Sequence, residues 1–75
     1  MAGVQSIERA FSLLRALATR PMGVTDLARH VGLPKSTVSR LLGALETEGA
    51  VEQVERGGEY RLGRGIADIA ASSGP

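Results

Sequence analysis

The stretch LARHVGLPKSTVSRLLGAL constrains the fold most, because two short helical patterns in it are separated by a glycine and a proline. The first pattern predicts a helix over residues 25–31 that begins at an N-cap, Thr25. Gly32 tolerates the positive φ that ends such a helix. Pro34 fits the first turn of the next helix, because a backbone N–H at that position makes no hydrogen bond within the helix. The second pattern predicts a helix that ends at Gly49. Its apolar stripe consists of Val38, Leu41, Leu42 and Leu45.

Two helices joined in this way meet the steric needs of a helix-turn-helix unit. The first helix needs a small residue where the second helix packs against it, and Ala28 stands there. The turn needs a residue that tolerates positive φ, which Gly32 supplies. Apolar residues must flank the turn and continue into the second helix, and these are Leu33, Val38 and Leu42. The spacing therefore predicts a helix-turn-helix.

The residues before this unit predict a further amphipathic helix. Over residues 4–19 apolar side chains recur at i, i+3, i+4 and i+7, with Ser6 as the expected N-cap and Pro21 as the stop signal. The predicted buried face comprises Ile7, Ala10, Phe11, Leu14, Leu17 and Ala18. This helix would complete the core of the helix-turn-helix.

The residues after Gly49 predict a β-hairpin and the start of a fourth helix. Two short β-compatible runs flank Gly57-Gly58, a pair that favours a type I′ turn because both central residues of that turn have positive φ. In that register one face carries Val51, Tyr60 and Leu62. A helical pattern then resumes through Ile66 and Ile69 until SSGP ends it. The fold class is therefore mainly α with a small β-hairpin, a winged helix-turn-helix with a three-helix core and a wing.

Length and composition exclude several classes of protein. At 75 residues the chain holds one domain, and without cysteine it has no disulfide framework, thiolate zinc site or cysteine nucleophile. No apolar run approaches the roughly 18 residues of a membrane span and there is no signal-peptide pattern, so we expect a cytoplasmic protein without a membrane partner.

Asp26 and His30 lie one helical turn apart on the outer face of a short helix, without a pocket. We therefore expect no enzyme activity, no cofactor and no metal.

Charge is unevenly distributed along the chain. No acid lies between Asp26 and Glu46, whereas three bases do, namely Arg29, Lys35 and Arg40. The acids collect in the hairpin region that follows. A nearly neutral protein with one locally positive segment can bind a polyanion through that segment.

Three segments of the chain, VQSIERAFSLLRAL, VTDLARHVGLPKSTVSRLLGALETEGAVE and GEYRLG, resemble the N-terminal domain of the IclR family of bacterial transcriptional regulators. The resemblance extends over residues 4 to about 70, and GLPKSTVSRLL is its most specific part. It implies a winged helix-turn-helix over residues 1–63 and the start of a linker helix with a tail over residues 64–75. It also implies a homodimer in the full-length protein and a larger C-terminal domain for a small-molecule effector, which we expect to be absent from this chain.

The second helix of the helix-turn-helix is the predicted DNA-reading element. The first turn of such a helix enters the major groove, where short hydroxyl side chains and a bidentate guanidinium can read base edges. The candidate base-contacting residues are Ser36, Thr37, Ser39 and Arg40. Cations and helix N-termini contact phosphates. The candidate phosphate-contacting residues are Thr25 and Lys35 at the two helix starts and Arg56 at the hairpin tip.

Each of these assignments has an alternative. Ser36 and Thr37 can serve as helix caps instead. Arg40 can be a solvated surface charge, and Arg56 an exposed turn charge. Gly43 costs about 1 kcal/mol in a helix interior, and either close packing or close approach to DNA would explain it.

The function predicted from these residues is sequence-specific binding of a double-stranded DNA operator for transcriptional regulation. A winged-helix module for protein–protein interaction is the alternative. The net charge of only +1 and the acidic hairpin EQVERGGE favour that alternative.

Overall fold

The structure is a computed structural model that describes residues 2–74. Its elements, in chain order, are α1 (Ala2–Thr19), α2 (Val24–Val31), α3 (Lys35–Thr47), β1 (Val51–Gln53), β2 (Tyr60–Leu62) and α4 (Arg64–Ser73). The predicted fold class is confirmed, because three helices pack together, a two-stranded antiparallel hairpin covers them and a fourth helix follows. Met1 and Pro75, the ends of the two predicted segments, lie outside the described residues.

The core lies where α1, α2 and α3 meet beneath the hairpin. Its largest fully buried side chains come from the three helices, the α1–α2 turn and β1, namely Leu13, Leu27, Val38, Leu42, Met22 and Val51. No polar or charged residue is buried among those whose side chains are described. The domain is therefore held together by apolar burial, which contributes roughly 1.5–3 kcal/mol for each large side chain fully removed from water.

The predicted buried face of α1 is partly wrong. Leu14 and Leu17 are buried as expected, but Ile7 is 60% exposed and Phe11 is 50% exposed, and Ala18 is also exposed. Leu13 and Ala16, which lie outside the predicted stripe, are buried instead. The physical reason is that only the C-terminal turns of α1 pack against the rest of the domain. A hydrophobic period shows that a helix is amphipathic but does not show what covers its apolar face.

The predicted N-caps of α1 and α2 are also wrong. α1 begins at Ala2, so Ser6 lies within the helix. α2 begins one residue before Thr25, and its N-cap is Gly23, with φ −83° and ψ 176°. Pro34 is the N-cap of α3, with φ −62° and ψ 147°, and its side chain makes no cap bond. Extended backbone at Gly23 and Pro34 therefore sets both helix starts, and the hydroxyl of Thr25 in the first turn of α2 is free for another role.

The hairpin has the predicted common face but not the predicted turn. Val51 pairs with Leu62 and Gln53 with Tyr60, which places all four side chains on one face of the sheet. The turn comprises residues 55–58 and is closed by a bond from the N–H of Gly58 to the carbonyl of Glu55, 2.8 Å long.

Positive φ in that turn occurs only at Gly57, where φ is 76°. A type I′ turn needs it at both central residues, so the type I′ prediction is wrong. The observed φ pattern is that of a type II turn, in which only the third residue has positive φ.

A short β-bridge joins the hairpin to the α1–α2 turn. The N–H of Met22 donates to the carbonyl of Tyr60 at 3.1 Å, and the N–H of Tyr60 donates to the carbonyl of Met22 at 2.8 Å. The Met22 side chain is 1% exposed. This bridge fixes the base of the wing against the helices.

The helix α4 extends further than predicted. SSGP was expected to end the helical pattern, yet the helix continues to Ser73. The two serine hydroxyls bond back to helix carbonyls, Ser72 to Asp68 at 2.9 Å and Ser73 to Ala70 at 3.0 Å. Serine bonded in this way is compatible with the last turn of a helix.

The start of α4 is fixed to β1 by one carboxylate. Oε2 of Glu52 accepts the backbone N–H of Arg64 at 3.1 Å, and Oε1 accepts the guanidinium of Arg61 at 3.2 Å. These bonds, first the one from the Arg64 backbone and then the one from Arg61, lower the pKa of the Glu52 carboxyl below its ordinary value. A side chain from the hairpin thus caps α4, as anions at helix N-termini do.

Candidate nucleic-acid interface

The α2–α3 turn has the predicted geometry. Gly32 lies in the left-handed region, with φ 72° and ψ 35°, and its N–H donates to the carbonyl of Ala28 at 2.9 Å. The N–H of Leu33 bonds to the same carbonyl at 3.1 Å. A residue with a Cβ is strained at this φ, so glycine is required for the abrupt change of direction between the two helices.

One face of α3 is left open to solvent by this packing. Val38 and Leu42 on the inner side are both 0% exposed. On the outer side, Lys35, Ser36, Ser39 and Arg40 are exposed. Thr37 is half-buried, which makes it the least accessible of the four candidate base-contacting residues. The structure therefore brings three of those four together on one open face, with Lys35 at its start.

The capping alternative for Ser36 and Thr37 does not hold. The N-cap residue is Pro34, and within residues 2–74 no hydroxyl bonds to the start of α3. The first backbone bond of the helix runs from the N–H of Val38 to the carbonyl of Pro34 at 3.0 Å. The hydroxyl of Ser36 is thus available on the exposed surface.

Among the described residues, the cations of this face form no ion pair. In the part of the chain that the structure describes, ion pairs join Arg29 to Asp26 at 3.9 Å and Arg61 to Glu52 at 3.2 Å. Neither Lys35 nor Arg40 takes part in one. Their positive charges therefore remain available to an anionic ligand.

The wing and the start of α2 form a second part of the surface. Thr25 is exposed and lines a shallow groove together with Gln53, Gly57 and Gly58 of the wing. Nε2 of Gln53 donates to the carbonyl of Gly58 at 3.1 Å and so stabilises the turn. Sequence reasoning missed this role of Gln53, because a glutamine that bonds to a backbone carbonyl five residues away has no sequence signature.

Arg56 is exposed at the second position of the wing turn. The exposed carboxylates of Glu55 and Glu59 lie close to it in sequence, so the tip carries two acids and one base. The wing tip is therefore a weaker cationic site than α3.

Gly43 belongs to the exposed face of α3 as well. Apart from its chain neighbours and the backbone of its own helix, a Cβ at this position would meet no described atom within 4 Å, so close packing inside the domain does not require a glycine there.

Neither a membrane helix nor a metal cluster is found in residues 2–74. No helix there is long and apolar enough to cross a bilayer, and no group of three or more potential metal-binding side chains occurs.

The turn at Gly32, the open face of α3 and the hairpin beside it together define a winged helix-turn-helix domain. Residues 6–55 match the family model of the IclR helix-turn-helix domain. The chain belongs to this family.

Two curated relatives illustrate the similarity. The chain is 44% identical over 69 residues to the HTH-type transcriptional regulator TtgV of Pseudomonas putida, a match that covers 89% of the chain and 27% of that protein. It is 39% identical over 62 residues to the transcriptional repressor IclR of Escherichia coli, covering 80% of the chain and 23% of that protein. The chain thus spans about a quarter of the length of these relatives.

Solved structures have the same fold. An IclR family transcriptional regulator from Brucella abortus superposes with a TM-score of 0.81 at 31% identity, over 92% of the chain and 27% of that protein. HmgR of Pseudomonas aeruginosa superposes with a TM-score of 0.80 at 34% identity, over 91% of the chain and 29% of that protein.

The predicted family, fold and type of function are confirmed by these comparisons. The domain is a helix-turn-helix of transcriptional regulators, whose function is sequence-specific DNA binding. Nothing in the comparisons favours the protein-interaction alternative.

Proposed function

We propose that the chain binds a double-stranded operator by placing the N-terminal half of α3 in the major groove. The observation that carries this proposal is the exposed, unpaired face of α3 opposite the buried Val38 and Leu42. Recognition helices of helix-turn-helix proteins use their first turns in this way.

The proposed base contacts come from Ser36, Thr37, Ser39 and Arg40. Serine and threonine hydroxyls can bond to a donor or to an acceptor on a base edge. An arginine that bonds to two atoms at once selects the O6 and N7 of guanine. Thr37 is half-buried and would reach the DNA only at the margin of the face. Arg40 is therefore the residue expected to contribute most to sequence preference.

The proposed phosphate contacts come from Thr25, Lys35 and Arg56. Lys35 is the first residue of α3, where the unbonded N–H groups of the helix start also favour an anion. Thr25 occupies the corresponding region of α2 beside the wing. Arg56 would follow the DNA backbone or the minor groove from the wing tip.

The remaining proposals concern the whole protein. We propose residues 1–63 as the DNA-binding domain and residues 64–75 as the start of a linker helix with its tail. Family membership supports a cytoplasmic, non-enzymatic regulator that acts as a homodimer and responds to a small-molecule effector through a further domain. Exposed apolar side chains on α1 and α4 also support the homodimer.

Selection from a pool of random duplexes tests the proposed function. We expect the chain to enrich one sequence, and its affinity for both enriched and random duplex to fall steeply as salt rises, because phosphate neutralisation releases condensed counterions. Failure to enrich any sequence, with an affinity that does not depend on salt, would contradict the proposal.

A further inference from the structure

Gly43 is a glycine that the fold itself does not require. It is the ninth residue of the 13-residue helix α3. The positive φ values among residues 2–74 belong to Gly32, Gly49 and Gly57, so Gly43 has ordinary helical backbone. A Cβ there would meet no described atom within 4 Å beyond its chain neighbours and the backbone of its own helix. Because alanine is more favourable than glycine in a helix interior, the isolated domain would be more stable with a side chain at this position.

Gly43 faces the same way as the proposed base-reading residues. It follows Ser36, Ser39 and Arg40 at i+7, i+4 and i+3, and all four residues are exposed. In an α-helix this spacing defines one face. A recognition helix that reads the major groove with residues spaced i, i+3, i+4 and i+7 is known from homeodomains.

The short side chains on this face need a close approach to DNA. The hydroxyl oxygen of serine is the only heavy atom beyond Cβ, so Ser36 and Ser39 reach a base edge only if the backbone of α3 lies deep in the groove. At such a depth, a side chain at position 43 on the same face would take up space between the backbone of α3 and the DNA.

We infer that Gly43 is a positioning residue that sets how deeply α3 enters the major groove. Its missing side chain brings the hydroxyls of Ser36 and Ser39 within reach of the bases, at the expense of helix stability. This inference rests on the proposed function. It predicts opposite effects of one substitution on folding and on DNA binding.

The experiment compares Gly43→Ala and Gly43→Gln with the unaltered chain. The probes are a duplex that the unaltered chain has enriched from a random pool and a random duplex of the same length. Gly43→Ala should raise the melting temperature by about 4–8 °C. It should weaken binding to the enriched duplex about fivefold or more, and Gly43→Gln should weaken it further, towards about 100-fold, as for lost base contacts.

The ratio of the affinity for the enriched duplex to that for the random duplex separates a loss of base contacts from a general loss of DNA binding. Random duplex is held mainly through phosphates, so both variants should lose less affinity for it and the specificity ratio should fall. Ala18→Gln is the matched control, because it places the same side chain at an exposed helical position on α1. We expect it to leave both affinities within about twofold, since surface substitutions away from a contact have small effects.

Three outcomes would overturn the inference. A stabilised Gly43→Ala variant with unchanged affinity, while Arg40→Ala still weakens binding, would remove the role of Gly43 and leave the proposed function intact. A destabilised Gly43→Ala variant would mean that the fold requires the glycine. If Arg40→Ala and both Gly43 variants all bind the enriched duplex as well as the unaltered chain does, the proposed function fails and the inference fails with it.

Discussion

At the scale of single residues, Arg40 is the side chain that we expect to contribute most to the proposed preference among base pairs. Arg40 is exposed on α3 and forms no ion pair in residues 2–74. We expect Arg40→Ala to weaken binding to an enriched duplex by about 1–3 kcal/mol and to relax the preference at one base pair per half-site, because a two-pronged contact is lost. Random duplex should lose less affinity. Competition titrations with the two duplexes measure both effects.

Arg40→Lys is the matched control for this prediction. Lysine keeps the charge but cannot reproduce the planar, two-pronged geometry of the guanidinium. We expect it to lose specificity nearly as Arg40→Ala does while retaining affinity for random duplex. Equal losses of Arg40→Ala on both duplexes, restored by Arg40→Lys, would instead assign Arg40 to a phosphate.

Residue-level rules predicted the turn of the helix-turn-helix better than the helix starts. Gly32 was predictable because positive φ is a strong requirement that few residues meet. Thr25 was predicted as a cap because its type is favoured there. The helix begins earlier because extended backbone at Gly23 precedes it, and a preference of about 1 kcal/mol does not decide such a boundary.

At the scale of elements, the wing tip combines one base with two acids. We expect Arg56→Ala to weaken binding to all duplexes and to flatten the dependence of log affinity on log salt by about one unit, as for one lost phosphate contact. Lys35→Ala, at the start of α3, should also weaken binding to all duplexes and flatten the salt dependence by about one unit.

Glu59→Gln should strengthen binding to random duplex, because it removes a negative charge near the phosphates. Salt titrations of the three variants check these outcomes, and an unchanged slope for Arg56→Ala would mean that the wing tip does not touch DNA.

The junction between the wing and α4 gives a prediction for pH. Bonds from the Arg64 backbone and from Arg61 lower the pKa of Glu52 in the folded chain, so its contribution to stability is present above the ordinary pKa of a glutamate. That contribution is lost as pH falls through the lowered value. We therefore expect Glu52→Gln to reduce the melting temperature at neutral pH, and the difference from the unaltered chain to vanish in acid.

Glu55→Gln is the control for this pH experiment. It removes the same charge from an exposed position in the wing turn that does not cap α4. It should change the melting temperature much less at neutral pH. Equal effects of the two variants would mean that net charge, and not the bonds to Glu52, is responsible.

The elements that could be predicted from sequence are those with strong local signals. The α2–α3 unit and the common face of Val51, Tyr60 and Leu62 are confirmed, because period and glycine placement define them. The bridge from Met22 to Tyr60 joins residues far apart in sequence, and a turn signal cannot reveal such a partner. The exposure of the outer face of α3 was predictable because the buried stripe fixes the opposite face, whereas the contacts of that face with DNA stay predictions.

At the scale of the whole molecule, apolar side chains remain uncovered on two helices. Val4 is 51% exposed, Ile7 60% and Phe11 50% on α1, and Ile69 is 67% exposed on α4. Four such side chains bury much less than the roughly 1,200–2,000 Å² of a stable interface. We therefore expect the chain to be at best a weak dimer, which sedimentation at micromolar concentration measures. A tight dimer there would contradict this and would place the main dimer surface within these 75 residues.

A second measurement uses two copies of the chain joined by a flexible linker. Linking the copies should raise the apparent affinity for a two-fold duplex through effective concentration, without any new contact. The gain should disappear on a duplex that carries a single half-site.

Three glycines, Gly49, Gly63 and Gly65, meet where the loop after α3 contacts the start of α4. The N–H of Gly65 bonds to the carbonyl of Gly49 at 2.9 Å, and a Cβ on Gly65 would lie 2.7 Å from that oxygen, too close to be accommodated. A Cβ on Gly63 would clash with the same carbonyl. The loop after α3 and the start of α4 thus share one backbone contact, in which there is no room for a Cβ. We expect this loop and the first turn of α4 to open together during local unfolding.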